Sequence, residues 1–277
     1  MDTNKVWLVT GASKGLGLAL VNRLIEQGYK VAGTSRTLAS LEKISNAENF
    51  LPLEMDILNE ENVHRGVEAI IKKFGKIDVL VNNAGYGQLG TLEELSDKEA
   101  RENFDANVFG SLNVIRQVMP WMRIQKSGHI LNVASIGGLL GTFPGWGVYC
   151  ATKFAVAGFT EALASEAGEF GIYATVVYPG YFRTNFLESG SLKTPANPIN
   201  DYTAARELEL KHEKEIAGNQ PGNPELAAEA FIVLGNMQNP PLHFVMGSDA
   251  YGMAEMKLKM LQSDLTSNES LSKSTDY

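Results

Sequence analysis

Short apolar runs alternate with amphipathic stretches along most of the chain. Residues 6–10 form a β-rich run almost at the N-terminus, and apolar positions at helical spacing follow through Ile25, closed by Gly28. Residues 30–35 read as a second strand, so a βαβ unit lies within the first stretch of sequence. The alternation continues with a strand over 50–55, an amphipathic helix over 60–74 ended by Gly75, and a buried strand over 79–82. A long helical pattern over 97–122, a strand over 129–134, a helix over 149–170 and strands over 173–178 and 242–246 complete it. Seven short apolar strands separated by helices predict an α/β fold, a doubly wound (Rossmann) seven-stranded parallel sheet with helices on both faces.

Two stretches break the rhythm. Residues 181–223 are long, polar and punctuated by Pro195, Pro198 and Pro221, which predicts a functional lid or a flexible insert. Residues 263–277 are rich in Ser, Asn and Thr and predict a disordered tail. The expected organisation is one domain over residues 1–262, with the lid at about 181–223 and the tail after it.

Composition changes this picture only by exclusion. The chain has 277 residues, 44% hydrophobic and 20% charged, with a net charge of −8, enough to bury a core without staples. No basic stripe suggests a nucleic-acid partner. The single cysteine, Cys150, excludes an intrachain disulfide and fits a reducing, cytoplasmic setting. No basic region followed by an apolar stretch marks the N-terminus as a signal peptide, and no run of apolar residues predicts a membrane span. His64, His129, His212 and His243 are scattered without ligand spacing, so no metal site is expected.

The first candidate for chemistry is the loop Thr-Gly-Ala-Ser-Lys-Gly-Leu-Gly over residues 10–17. Gly11, Gly15 and Gly17 lie between the first strand and the first helix. Such glycines let the backbone approach a pyrophosphate, and the helix N-terminus supplies amides and partial positive charge. A plain Gly-rich turn would look the same, and the placement favours dinucleotide binding. The second strand ends in Thr34, Ser35 and Arg36, with no acid before Glu42. An acid there would hold a ribose hydroxyl. Arg36, assisted by Lys14, suits a 2′-phosphate instead and predicts NADP(H), unless both are solvated surface charges.

The second candidate is Tyr149 and Lys153, a Y-x-x-x-K whose spacing puts both side chains on one helix face. An adjacent ammonium would lower the phenol's pKa toward neutrality and let it exchange a proton with a substrate oxygen. Ser135, at the end of a strand, would hydrogen-bond the same oxygen. Alone, Tyr149 reads as a packing residue and Lys153 as a surface charge. Their conjunction with Ser135 at the ligand-binding edge of an open sheet carries the reading. Cys150, about 100° around the helix, reads as a packing residue.

Taken together, the glycine loop, Asp56, the Asn-Asn-Ala-Gly of residues 82–85, Asn107, Ser135, the Tyr149–Lys153 motif and Pro-Gly-Tyr-Phe-Arg-Thr of residues 179–184 resemble the classical short-chain dehydrogenase/reductase family over about residues 5–185. The resemblance implies a catalytic set of Asn107, Ser135, Tyr149 and Lys153. Asn107 would hold a water that relays protons from Lys153, or would simply bond to backbone. The cofactor would be NADP(H), bound at Gly11, Ser13, Lys14, Gly15, Leu16 and Gly17, with Ser35 and Arg36 at the ribose end. Asp56 and Ile57 would flank the adenine, and Asn83, Ala84 and Gly85 would line the adenosine side. Asn107, Tyr149 and Lys153 would also touch the cofactor, with Lys153 on the nicotinamide ribose. Pro179, Gly180, Phe182 and Thr184 would fix its carboxamide.

A substrate pocket is expected around Gly137, Leu140, Phe143, Trp146, Tyr181 and Phe186, with Tyr86 nearby. These side chains are mostly apolar and aromatic and suit a hydrophobic ketone, aldehyde or secondary alcohol. Arg183 could meet an anionic group or be a surface charge. Residues 251–265 continue as an amphipathic helix where many tetrameric members end, as hydroxysteroid and retinol dehydrogenase-like members do. A homodimer through the two long helices is expected, with a tetramer as the alternative. The implied activity is NADPH-dependent carbonyl reduction or alcohol oxidation. An NADP-binding regulatory protein without turnover, or a dehydratase or epimerase of the same fold, are the competing classes.

Overall fold

The computed structural model describes residues 3–187 and 190–277. Among the described residues, nine strands occur in chain order: β1 (Val6–Val9), β2 (Lys30–Ser35), β3 (Phe50–Glu54), β4 (Val79–Asn82), β5 (Gly87–Gln88), β6 (Gly128–Val133), β7 (Ile172–Pro179), β8 (Leu192–Lys193) and β9 (His243–Met246). Seven of them form one sheet in the order β3-β2-β1-β4-β6-β7-β9, with every neighbouring pair parallel. The chain therefore has the predicted Rossmann arrangement. The order reverses between β1 and β4, which opens a crevice at the C-terminal edge of the sheet, where ligands of such sheets bind.

Alternation along each strand feeds two cores. Trp7 and Val9 of β1 face one side, with Leu20, Leu24 and Phe231 of the helices α1 (Gly15–Glu26) and α8 (Pro224–Asn236). Val6 and Leu8 face the other, with Val63, Ile70, Val118 and Leu163. The helices on that side are α3 (Glu60–Phe74), α5 (Gly110–Gln125) and α6 (Gly147–Ala167). A short helix, α2 (Ala39–Glu42), follows β2.

The helix ends are specified locally. Asn59 caps α3 through the Asn62 amide, and Gly75 ends it at φ +83°. Ser96 and Glu99 form a reciprocal capping box at the start of α4 (Asp97–Phe104). The helix expected over 97–122 runs on to Gln125, and residues Asp105–Phe109 widen into a π-helical turn centred on Asn107. Extra turns of this kind concentrate at functional sites.

Between β7 and α8 lies the expected lid, of which Glu188 and Ser189 fall outside the described residues. It is more structured than its composition suggests. The strand β8 pairs in parallel with β5, and α7 (Thr203–Lys211) runs into a π-helical turn, His212–Ile216. The expectation of a disordered tail over 263–277 is corrected. Helix α9 spans Ser248–Ser267, and α10 spans Glu269–Lys273. Side-chain bonds back along the helix, from Thr266 to the Gln262 carbonyl and from Asn268 to that of Asp264, support this polar stretch locally. Only the first turns of α9 pack on the body, through Ala250 and Ala254 against Ile136. No helix among the described residues is long and apolar enough to cross a membrane.

Candidate active site

The glycine loop leaves β1 at Thr10. The Thr10 hydroxyl accepts the Asn83 and Ala84 amides, each at 3.0 Å, and the Asn83 side chain donates to the Thr10 carbonyl at 3.0 Å. The two loops on either side of the crevice are thus tied together. Gly11 and Gly15 sit at φ +65° and +60°. A Cβ at Gly17 would collide with the Gly11 carbonyl and the Asn83 amide. These positions need glycine for backbone reasons. Ser13 is partly buried, and Leu16 packs against the core, so its part in a cofactor site would be through backbone.

The N-terminus of α1 carries no side-chain cap. Among the described residues no side chain caps its first amides, which lie at the crevice edge of the sheet. Lys14 and Arg36 stand beside it. Partial burial and then the Arg36 charge hold the Lys14 ammonium below its ordinary range. Lys14 also donates to the Gly190 carbonyl at 2.8 Å. An uncapped helix start flanked by two cations fits a phosphate-bearing dinucleotide.

At the ribose end, the Ser35 hydroxyl bonds Ser40 at 3.1 Å, and Arg36 is exposed. Asp56 lies at the surface with one carboxylate oxygen on the Leu58 amide at 3.1 Å. The helix cap nearby is Asn59, not Asp56. Ile57 leans on Gly110, while its carbonyl accepts Asn113.

Three chemical side chains converge further along the edge. Ser135 follows β6, its hydroxyl accepts the Gly137 amide at 3.1 Å, and it stands close enough to the Tyr149 phenol to influence its acidity. Tyr149 and Lys153 lie on the first turns of α6. Lys153 Nζ donates to the Val133 carbonyl at 2.9 Å and lies 5.8 Å from the centre of the Tyr149 ring. Burial lowers Lys153 to about 8. The expectation that the ammonium lowers the phenol is corrected for this state of the protein. Burial raises the Tyr149 phenol well above its ordinary value, and the Ser135 hydroxyl only partly offsets this. Burial also lifts the Cys150 thiol to about 11, as befits a packing residue.

Asn107 is buried and used structurally. Its Oδ1 accepts the Tyr86 amide, and its Nδ2 donates to the Tyr86 carbonyl and the Thr152 hydroxyl, all at 3.0 Å. This positions the loop after β4, where Gly85 leaves room beside Lys153.

The pocket is aromatic. Trp146 lies edge-on to Tyr149 at 5.3 Å between centroids, and Phe186 lies 6.1 Å from Tyr149. Phe143, Leu187, Leu192 and Leu208 join the same apolar cluster. Gly137 abuts Tyr149 and Cys150, whereas Leu140, buried in the same turn, packs outside that cluster. Arg183 is exposed and donates to the Gln220 carbonyl at 3.3 Å.

Sequence spacing missed two members of this region. His212 had seemed one of four unrelated histidines. Its Nδ1 donates to the Leu208 carbonyl at 2.7 Å, which leaves Nε2 to accept the Tyr181 hydroxyl at 2.8 Å, and its ring lies 5.2 Å from that of Trp146. Asp249 of α9 accepts the Tyr181 amide at 2.8 Å and braces Gly180, which has no room for a side chain. Pro179 ends β7, Phe182 bridges to Gly222, and Thr184 faces Gly15 across the crevice.

Residues 5–194 match the family profile described as short chain dehydrogenase. The chain belongs to the short-chain dehydrogenase/reductase family. It is thus an oxidoreductase of CH–OH groups that works with a nicotinamide dinucleotide. It is 36% identical to a 3-ketodihydrosphingosine reductase of Bacteroides thetaiotaomicron, over 88% of this chain and 88% of that one. The solved structure of a short-chain dehydrogenase from Streptomyces avermitilis superposes with a TM-score of 0.90 at 33% identity, covering 99% of this chain and 98% of the other. ElxO with NADP bound superposes with a TM-score of 0.71 at 30% identity, over 87% and 96%. The superposition with the Streptomyces dehydrogenase thus extends well beyond the residues that match the family profile.

Proposed function

We propose that this enzyme reduces the carbonyl group of a hydrophobic ketone or aldehyde with NADPH, using Tyr149 as the proton donor. The convergence of the Ser135 hydroxyl, the Tyr149 phenol and the Lys153 ammonium beside an uncapped helix start flanked by Lys14 and Arg36 carries the reading. The dinucleotide, when bound, supplies the hydride to the carbonyl carbon. Lys14, Arg36 and the α1 amides bind its phosphates, and Lys153 holds its ribose.

Ser135 and Tyr149 orient the substrate oxygen between two hydroxyls. As negative charge develops there, Tyr149 gives up its proton. A phenol held neutral by burial is the protonated form that this step requires. The Lys153 ammonium then stabilises the phenolate left behind, and Asn107 fixes the loop beside it. The apolar walls of Trp146, Phe143 and Phe186 exclude water and favour a hydrophobic substrate. The cofactor of ElxO and the ketone named for the Bacteroides reductase support the same choice.

The test is to mix the protein with NADPH and a panel of aromatic and long-chain aliphatic ketones and follow the absorbance of the reduced cofactor. Turnover with at least one ketone is expected. Tight NADPH binding with no turnover on any member would favour a regulatory NADP-binding protein instead.

The assembly proposed is a homodimer through α4–α5 and α6. Phe109, Ile124 and Phe154 leave an exposed apolar face on those helices. Light scattering should give about twice the chain mass, and Phe109→Asp should shift it toward the monomer. A fourfold mass would replace the dimer with a tetramer.

A further inference from the structure

The lid closes directly over the reacting phenol. Tyr149 is only 7% exposed, and Phe186, Leu192 and Leu208 pack into its cluster. A carbonyl compound cannot reach the phenol while they stay there, so the lid must open in each turnover. Its inner face is held by apolar contact. Its outer face is held by carboxylates of residues 93–102, which reach residues 193–206. Glu93 accepts the Tyr202 hydroxyl, Glu99 accepts the Ala196 amide at 2.9 Å, and Glu102 pairs with Lys193 at 3.2 Å.

Glu94 differs from these three. Its side chain has 0% exposure, whereas the others hold surface contacts that contribute little. One oxygen accepts the Ile199 amide at 2.7 Å and faces Arg206 at 3.0 Å. The other accepts the Thr91 amide at 2.7 Å and Arg206 at 3.1 Å. Ile199 and Arg206 belong to the lid, and Thr91 to the body. Burial opposes the charge, but the two amides and Arg206 outweigh it and hold the carboxyl below its ordinary range. Removing such a group strands buried donors on both sides of the joint. The same edge of the lid touches the active site. Lys193 lies 4.5 Å from the centre of the Tyr86 ring, and Tyr86 is the residue that Asn107 grips by its backbone.

We propose that Glu94 is a positioning residue of the reaction, a buried latch that holds the lid closed over Tyr149 and governs how often the pocket opens. The proposal rests on Tyr149 as the reacting group, but the latch can be measured without turnover. The charged groups around Glu94 are Arg206 of α7, Glu209 paired with Arg206 at 2.9 Å, and the neighbouring Glu93 with its Tyr202 partner. A carboxylate with a depressed pKa fastens the lid above its unfolded value and lets go as pH falls through the folded one.

The experiment is hydrogen exchange on the full-length Glu94→Gln variant, read against wild type. Amides of Thr203–Lys211 should exchange roughly tenfold to a hundredfold faster, while those of the central sheet stay as they were. Acrylamide quenching in a Trp121→Phe background, where the remaining tryptophans are Trp7 and Trp146, should rise as Trp146 is uncovered. In wild type, lid protection should fall at acid pH, and in the variant that pH dependence should be lost. Arg206→Gln attacks the same joint from the lid side, should loosen the same amides without adding to Glu94→Gln, and decides the matter if the first variant does not fold. Lid amides as protected as in wild type, or a loosening spread evenly over the sheet, would overturn the latch. Lid loosening in a protein that turns over no ketone would overturn the proposed function and leave the latch standing.

Discussion

Replacing Tyr149 with Phe is expected to slow ketone reduction by a factor of about 10²–10⁴ and to leave NADPH affinity within about twofold. The substitution removes one hydroxyl and little else. The ring keeps its contacts with Trp146 and Phe186, and Lys153 keeps its bond to the Val133 carbonyl, so neither the pocket wall nor the ribose site should shift. What disappears is the proton that the proposed reaction delivers to the substrate oxygen. Steady-state oxidation of NADPH measures the first quantity, and a fluorescence titration of NADPH the second. Retained activity would remove Tyr149 from the chemistry.

The same site sets the sign of the pH dependence. Lys153, lowered by burial to about 8, is charged below that value and neutral above it. In the proposed reaction its charged form stabilises the phenolate left on Tyr149. Reduction should therefore hold level through neutral pH and decline as pH rises through about 8. A rate that climbs through that range would contradict the role given to Lys153.

Much of this was legible in the sequence because the informative residues are local or lie at fixed spacings. The strands are short apolar runs, and Gly75 marks the end of α3 where the apolar periodicity stops. Gly11, Gly15 and Gly17 announce a close backbone approach, and Tyr149 and Lys153 are one helical turn apart. The parts that were not legible depend on contacts between distant segments. The carboxylates of residues 93–102 read as an ordinary acidic stretch until the lid brings Ile199 and Arg206 to Glu94. His212 and Asp249 acquire their places only through Tyr181, and no spacing links them. The lid's Pro and polar residues concealed α7, whose stability comes from packing Ala205 and Leu208 inward. The phenol's raised pKa was missed for a related reason. Proximity along a helix gave the ammonium its place, but burial of both groups decides the balance.

Cofactor choice offers the second large effect. Arg36→Asp should reverse the preference, lowering kcat/KM with NADPH and raising it with NADH, for a combined swing of roughly two to three orders of magnitude. The reasoning starts from a repulsion. Lys14 and Arg36 stand close enough that the guanidinium depresses the ammonium, after partial burial has done so. On a chain of net charge −8, two like charges kept together are what the proposed 2′-phosphate would neutralise. A planar guanidinium meets phosphate oxygens in pairs, so its loss removes more than one charge. The introduced carboxylate would repel a 2′-phosphate, accept the 2′-hydroxyl of NAD, and relieve Lys14. Relief of Lys14 gives a further expectation: the cofactor-free variant should melt no lower than wild type, because it exchanges a repulsion for an attraction at an exposed site. Comparing kcat/KM for the two cofactors with one ketone measures the swing, and a melting curve without cofactor measures the relief. An unchanged preference would take Arg36 out of the cofactor site and leave Lys14, already tied to Gly190 across the crevice, as a fastener for the lid.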